Sequence, residues 1–176
     1  MTESLTLGKV HEGDALPELH YDVTATTVVL GALASRDWRP MHHDHDFAVN
    51  RNGTRDIFLN TPNQAAWFER FITDWSGPKG RLGRMTFRMK GSVFPGDTMV
   101  LRARVENVAT DDTGCGWATL AVTLAVDGDT KTDCTARIAL PVDDDERQAA
   151  AGTLDHLDRI TTLRRGVFAG FGNGNV

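Results

Sequence analysis

Residues 61–78 read TPNQAAWFERFITDWSGP. Thr61 is a good N-cap and Pro62 suits the first helical position. Ala65, Ala66, Phe68, Phe71, Ile72 and Trp75 then leave little polar surface, and Ser76-Gly77-Pro78 stops the pattern. A helix is therefore predicted over 62–75. A helix this apolar must be covered on most sides, and a sheet is the element able to wrap it.

The residues after it supply that sheet. Met85, Phe87 and Met89 alternate with Arg84, Arg88 and Lys90. After a turn at Phe94-Pro95-Gly96-Asp97, Met99, Leu101, Ala103 and Val105 alternate with polar or small neighbours. Asp112-Thr113-Gly114 turns again. Ala118, Leu120, Val122, Leu124 and Val126 form one strand face, and Thr132, Cys134, Ala136, Ile138 and Leu140 form the next. Asp127-Gly128 between them is a strong hairpin signal. Period-2 alternation predicts four consecutive antiparallel strands, a meander. Upstream, Tyr21 to Thr27 reads as a first strand. Thr26 or Thr27 then caps a helix over Val28 to Ser35 that is apolar on most sides and expected to be buried. Residues 36–56 read as a polar loop. A long antiparallel sheet wrapped round one central helix is an α+β architecture, the hotdog fold.

The chain has 176 residues, 40% hydrophobic and 24% charged, an ordinary profile for one domain. Its net charge is −5 and its pI about 5.6, which argues against a nucleic-acid partner. No apolar run approaches the ~20 residues of a membrane span. Met1 to Val10 carry no signal-type apolar core. A cytoplasmic protein without a membrane partner is expected. Cys115 and Cys134 fall in strand-like runs and are expected as buried free thiols. Residues 1–142 form the predicted domain and 143–176 an extension. The extension opens on the acidic run Asp143-Asp144-Asp145-Glu146. Leu154, Leu157, Ile160, Leu163 and Val167 then recur at helical spacing, before a flexible Gly/Asn-rich end.

The titratable residues concentrate in 35–48, SRDWRPMHHDHDFA. Three readings compete there with a plain charged turn. A metal cluster fails, because His43 and His45 begin a His-x-His-x-Asp-His spacing that Phe47 and Ala48 break; no metal is expected. An acyltransfer pattern His-His-x-x-x-Asp fails at Phe47, and no Gly-x-Ser-x-Gly supplies a nucleophilic serine. The third is a carboxylate–imidazole pair acting on water. Asp37 and His42 are five positions apart, and Pro40 stiffens the chain between them.

That stretch resembles the MaoC-like, or R-specific, enoyl-CoA hydratases. Their Asp-x-Asn-Pro-Leu-His reads here Asp37-Trp38-Arg39-Pro40-Met41-His42, with Ala48 in the small position that follows. Arg39 stands where the family has Asn, and Met41 where it has Leu. The family's His-Gly-Met at the start of its central helix falls on Leu59-Asn60-Thr61, so Asn60 takes the glycine's place. Phe94-Pro95-Gly96-Asp97 matches the family's turn between long strands. The resemblance covers about residues 10–142. Within it, Arg36-Asp37, His42-His43-Asp44, Asp56 to Asn60 and Thr73 to Gly77 look closest to the small subunits of bacterial steroid side-chain degradation. Those pair with a second, different MaoC-like subunit.

The resemblance implies addition of water across the C2–C3 double bond of a trans-2-enoyl-CoA, with a bulky steroid-type acyl group in that subgroup. It implies Asp37 and His42 as catalytic residues, Asp37 taking the water's proton while His42 orients it. It implies an oxyanion and substrate-binding site at Asn60 and Thr61, where the helix N-terminus favours negative charge. It asks for no cofactor beyond the coenzyme A of the substrate, and for a homodimer or a heteromer with a second MaoC-like subunit. Arg84, Arg88, Lys90, Arg102 and Arg104 are candidates to meet the polyanionic coenzyme. Two alternatives remain. One is thioester hydrolysis on the same fold, with Glu69 or Asp74 on the central helix. The other is a non-catalytic subunit that completes a partner's site.

Overall fold

A computed structural model describes residues 5–142. The amphipathic pattern at 154–167 lies outside the described residues. The elements are a 3-10 turn at Leu7–Lys9, β1 (Leu19–Asp22), α1 (Ala25–Ala34), a 3-10 turn at Pro40–His42, α2 (His45–Asn50), α3 (Thr61–Ser76), β2 (Arg81–Met89), β3 (Thr98–Thr110), β4 (Gly116–Val126) and β5 (Asp129–Leu140). The sheet is antiparallel throughout, in the order β1-β3-β4-β5-β2. It wraps α3, as the hotdog fold requires.

The alternating residues face inward as expected. Met99, Leu101 and Val105 of β3, Leu120, Val122 and Leu124 of β4 and Cys134, Ala136 and Ile138 of β5 are buried. They share one core with Phe68, Phe71 and Ile72 of α3. Each of the Val, Leu, Ile, Met and Phe side chains among them contributes about 1.5–3 kcal/mol by leaving water. The Phe68 and Phe87 rings lie 5.3 Å apart and fix the helix against the sheet edge. Register shifts in β2, β3 and β5 add local twist, which helps the long strands curl. Asp127 and Gly128 both have positive φ, 51° and 84°, as a two-residue hairpin turn of the primed kind demands.

Several expectations are corrected. The four strands are not one meander: β3, β4 and β5 are, but β2 pairs with β5 rather than β3. Residues 90–97 therefore cross from one side of the sheet to the other. On the way Val93 accepts a hydrogen bond from the Leu59 N–H at 2.9 Å, which ties the crossing to the start of α3. The first strand is Leu19–Asp22, not 21–27, because Thr24 leaves it to cap α1 in a reciprocal pair with Thr27. That helix runs 25–34 and is covered on one side only; Leu30 is 58% and Leu33 43% exposed. The cap of α3 is Asn60, whose side chain accepts the Asn63 N–H, and Thr61 and Pro62 lie inside the helix. Asn is the stronger cap residue and wins over its neighbour. Cys134 is buried and Cys115 half-buried in the turn before β4. Both are free, and burial pushes the Cys134 thiol up to about 12.

Candidate active site

Asp37 is placed by the end of α1. The Asp37 N–H donates to Ala32 O at 2.9 Å and the Arg36 N–H to Leu33 O at 3.0 Å. This is the Schellman pattern, with Arg36 at φ 54° in the position glycine commonly fills. The chain leaves the helix sharply, and the Asp37 side chain folds inward until it is only 9% exposed. Pro40 then opens the 3-10 turn that ends at His42. The loop expected over 36–56 therefore holds two short helical pieces. Its cluster of titratable groups has local uses: Asp44 caps α2 by accepting the Phe47 N–H at 3.0 Å, and the His43 ring meets Trp38 O at 3.2 Å.

The turn brings the predicted pair together. His42 Nε2 lies 3.5 Å from Asp37 Oδ2, and the His42 side chain is 3% exposed. The other ring nitrogen, Nδ1, lies 2.8 Å from Phe58 O. A carbonyl oxygen only accepts, so Nδ1 carries the proton and donates. Burial holds His42 below the ordinary imidazole value, so the ring is neutral at neutral pH and Nε2 offers a lone pair. Asp37 is held well below the carboxylate range, first by Arg39 and then by Asn60. Arg39 is bidentate: Nε donates to Oδ1 and Nη2 to Oδ2, each at 2.8 Å. Asn60 Nδ2 donates to Oδ2 at 3.0 Å and to Ser35 Oγ at 2.8 Å.

Asn60 thus joins three elements. Its amide nitrogen holds Asp37 and the end of α1, and its Oδ1 caps α3 through the Asn63 N–H at 3.1 Å. Its backbone is extended, φ −75° and ψ 164°, a conformation open to any residue, so no glycine is needed there. The Asn60 N–H finds no acceptor among the described residues. A cavity of about 300 Å³ opens beside it, walled by Arg39, Met41, His42, Phe58, Asn60 and Gln64 among others. Thr61 is exposed on its rim, its hydroxyl 3.4 Å from Met89 Sδ.

None of the five strand cations proposed for coenzyme A lines that cavity; the cation there is Arg39. Lys90 pairs with Asp133, Arg102 with Glu18, and Arg104 donates to Gly13 O. Glu69 and Asp74 do not line it either, and Asp74 pairs with Arg70 at 3.4 Å on the exposed side of α3. The sequence reading missed Ser35, the Phe58 carbonyl and Gln64. Gln64 had a signal, a polar side chain one turn past Asn60 on an otherwise apolar helix face. Among the described residues no group of His, Cys, Asp and Glu is arranged to hold a metal ion, and no helix is long and apolar enough to cross a membrane.

No protein-family model matches the chain. Over 96 residues it is 35% identical to the 3-oxo-4,17-pregnadiene-20-carboxyl-CoA hydratase beta subunit of Mycobacterium tuberculosis, a match that spans 54% of this chain and 74% of the relative. Its structure is similar to a chain of the ChsH1-ChsH2 complex of the same organism, with TM-score 0.67 and 29% identity over 74% of this chain and 98% of the other. A MaoC-like dehydratase from Rhodospirillum rubrum has the same fold at TM-score 0.68 and 17% identity, covering 78% and 97%. The matched identity and coverage, with the Asp37–His42 motif on a hotdog scaffold, place this chain in the MaoC-like hydratase family.

Proposed function

We propose that this protein is an enoyl-CoA hydratase that adds water across the C2–C3 double bond of a trans-2-enoyl-CoA. One observation carries the proposal: His42, buried 3.5 Å from Asp37, lines a cavity also lined by Asn60, whose N–H at the start of α3 finds no acceptor among the described residues. Neutral His42 Nε2 and the Asp37 carboxylate are both acceptors. A water between them donates one hydrogen to each and keeps a lone pair for C3.

As the water oxygen bonds to C3, its proton passes to His42 Nε2. The C2–C3 π electrons move to C1–C2, and the carbonyl pair moves onto the thioester oxygen. The Asn60 N–H and the positive end of α3 stabilise that enolate. The imidazolium then returns the proton to C2. These roles differ from the sequence-based assignment, which gave the proton to Asp37. Arg39 draws down the basicity of Asp37, so His42 becomes the base and Asp37 the group that orients the water and steadies the imidazolium. The scheme asks for no metal or redox cofactor, because no electrons are exchanged.

The named relative acts on a pregnadiene carboxyl-CoA, and on that ground we assign this chain a bulky polycyclic enoyl-CoA. The relative is a beta subunit and the structural neighbour belongs to a complex, which supports a second MaoC-like subunit as partner. Leu30, Leu33 and Trp38, the last 65% exposed, give such a partner an apolar face to cover.

The test is loss of enoyl-CoA absorbance, with crotonyl-CoA and a fused-ring enoyl-CoA, for the chain alone and with a co-expressed second subunit. Hydration of the bulky substrate is expected. Release of free thiol without hydration would identify a thioesterase instead. Activity in the complex that survives Asp37→Asn would leave this chain a supporting subunit.

A further inference from the structure

Gln64 is 2% exposed, one helical turn past Asn60 on the same face of α3, and it lines the cavity that holds His42. Its amide is fixed from one side. The Thr132 hydroxyl, wholly buried on β5, donates to Gln64 Oε1 at 2.8 Å. With Oε1 taken by an O–H donor, the amide NH2 is the free end, and no described residue accepts from it. Leaving such a donor unmet in the interior costs about 1–3 kcal/mol, so an acceptor that enters the cavity gains it as a partner. Helical side chains lean toward the helix N-terminus. That lean favours the Asn60 end of α3, and Asn60 lines the same cavity with a backbone N–H that finds no acceptor among the described residues.

Resting on the hydratase reading above, we infer that the Gln64 side-chain amide is a second donor to the thioester oxygen. With the Asn60 N–H it forms a two-donor oxyanion site, and its bond tightens as the carbonyl becomes an enolate. Thr132 is the positioning residue that keeps the NH2 aimed into the cavity. Asn60 supplies a backbone donor and Gln64 a side-chain donor from one face of one helix, so both hold their place whether or not substrate is bound.

The test is Gln64→Leu in the full chain, beside Thr132→Val, which removes the same buried hydrogen bond but keeps the donor. Gln64→Leu is expected to lower kcat about 10²-fold with KM little changed, since loss of one oxyanion donor acts on the transition state. Thr132→Val should lose much less. A KM rise with kcat unchanged, or equal losses in the two variants, would overturn the assignment. A second readout is the C1-labelled carbonyl stretch of an enoyl-CoA bound to Asp37→Asn, with and without Gln64→Leu. The band should move toward the free thioester when Gln64 is replaced. Identical bands overturn the role of Gln64 and leave the hydratase reading standing. No bound thioester at all would overturn that reading, and this inference with it.

Discussion

His42 turns its unprotonated Nε2 toward Asp37 Oδ2 at 3.5 Å, because its Nδ1 is committed to Phe58 O at 2.8 Å. The ring cannot present the other tautomer without breaking that second bond. Base and carboxylate face one spot, and the base is neutral.

The first prediction concerns pH. Burial lowers the His42 value below the ordinary 6.5, so the neutral base persists as pH falls through 6.5. The acid limb of kcat/KM should have its midpoint below 6.5. Folding stability has the same sign. The unfolded chain takes up the proton near 6.5 and the folded one only lower, so stability declines as pH drops through that window. A limb centred above 6.5 would show that His42 is not the base.

Arg39→Asn restores the residue usual in the family. It removes a positive charge that lowers both His42 and Asp37. The acid limb should move to higher pH, modestly, because the Arg39 side chain is 61% exposed and screened by solvent. A pH profile of the variant beside wild type checks this. A limb that stays in place means that Arg39 has no electrostatic hold on the site.

Asn60→Ala should destabilise the fold by about 2–3 kcal/mol. Loss of a helix cap costs about 1 kcal/mol, and unpaired buried groups at Asn63, Ser35 and Asp37 add to it. Urea unfolding measures the change. A loss under about 0.5 kcal/mol, the low end for a cap alone, would mean that Asn60 does not join α1 to α3.

Gly31 is a close-approach position. A Cβ there would sit 1.8 Å from Asn63 Nδ2, which donates to Thr27 O at 3.1 Å. Alanine improves helix propensity by about 1 kcal/mol, whereas overpacking costs about 1–3. The clash wins where the side chain cannot swing away, since Asn63 is buried between the two helices. Gly31→Ala should therefore lower the unfolding midpoint, and a raised midpoint would refute the close packing.

Much of this was legible in the chain. Alternation from Met99 to Leu140 named most inward residues of three strands, because a buried sheet face favours that period, although Trp117 and Ala125 are buried out of phase with it. The apolar run around Phe68 and Phe71 named the central helix. Asp37 and His42 could be paired from their spacing across Pro40. The partner of β2 was not legible, since its pairing strand lies far along the chain, Met89 meeting Thr132 and Arg81 meeting Ala139, and no local signal marks that match. The pair of Arg39 with Asp37 was hidden for another reason. A residue two positions on reads as a motif departure, and only the fold of the turn shows that its long side chain doubles back. Gln64 stands out in the sequence as a polar residue on an apolar helix face, but only the wrapped sheet shows that it is interior and meets Thr132.

The most direct measurement follows the enoyl absorbance of a bulky trans-2-enoyl-CoA with wild type, Asp37→Asn and His42→Ala, in whichever assembly is active. The account predicts losses of at least about 10²-fold in both variants, with His42→Ala the more severe, while folding is retained. Near-wild-type hydration by His42→Ala would contradict it.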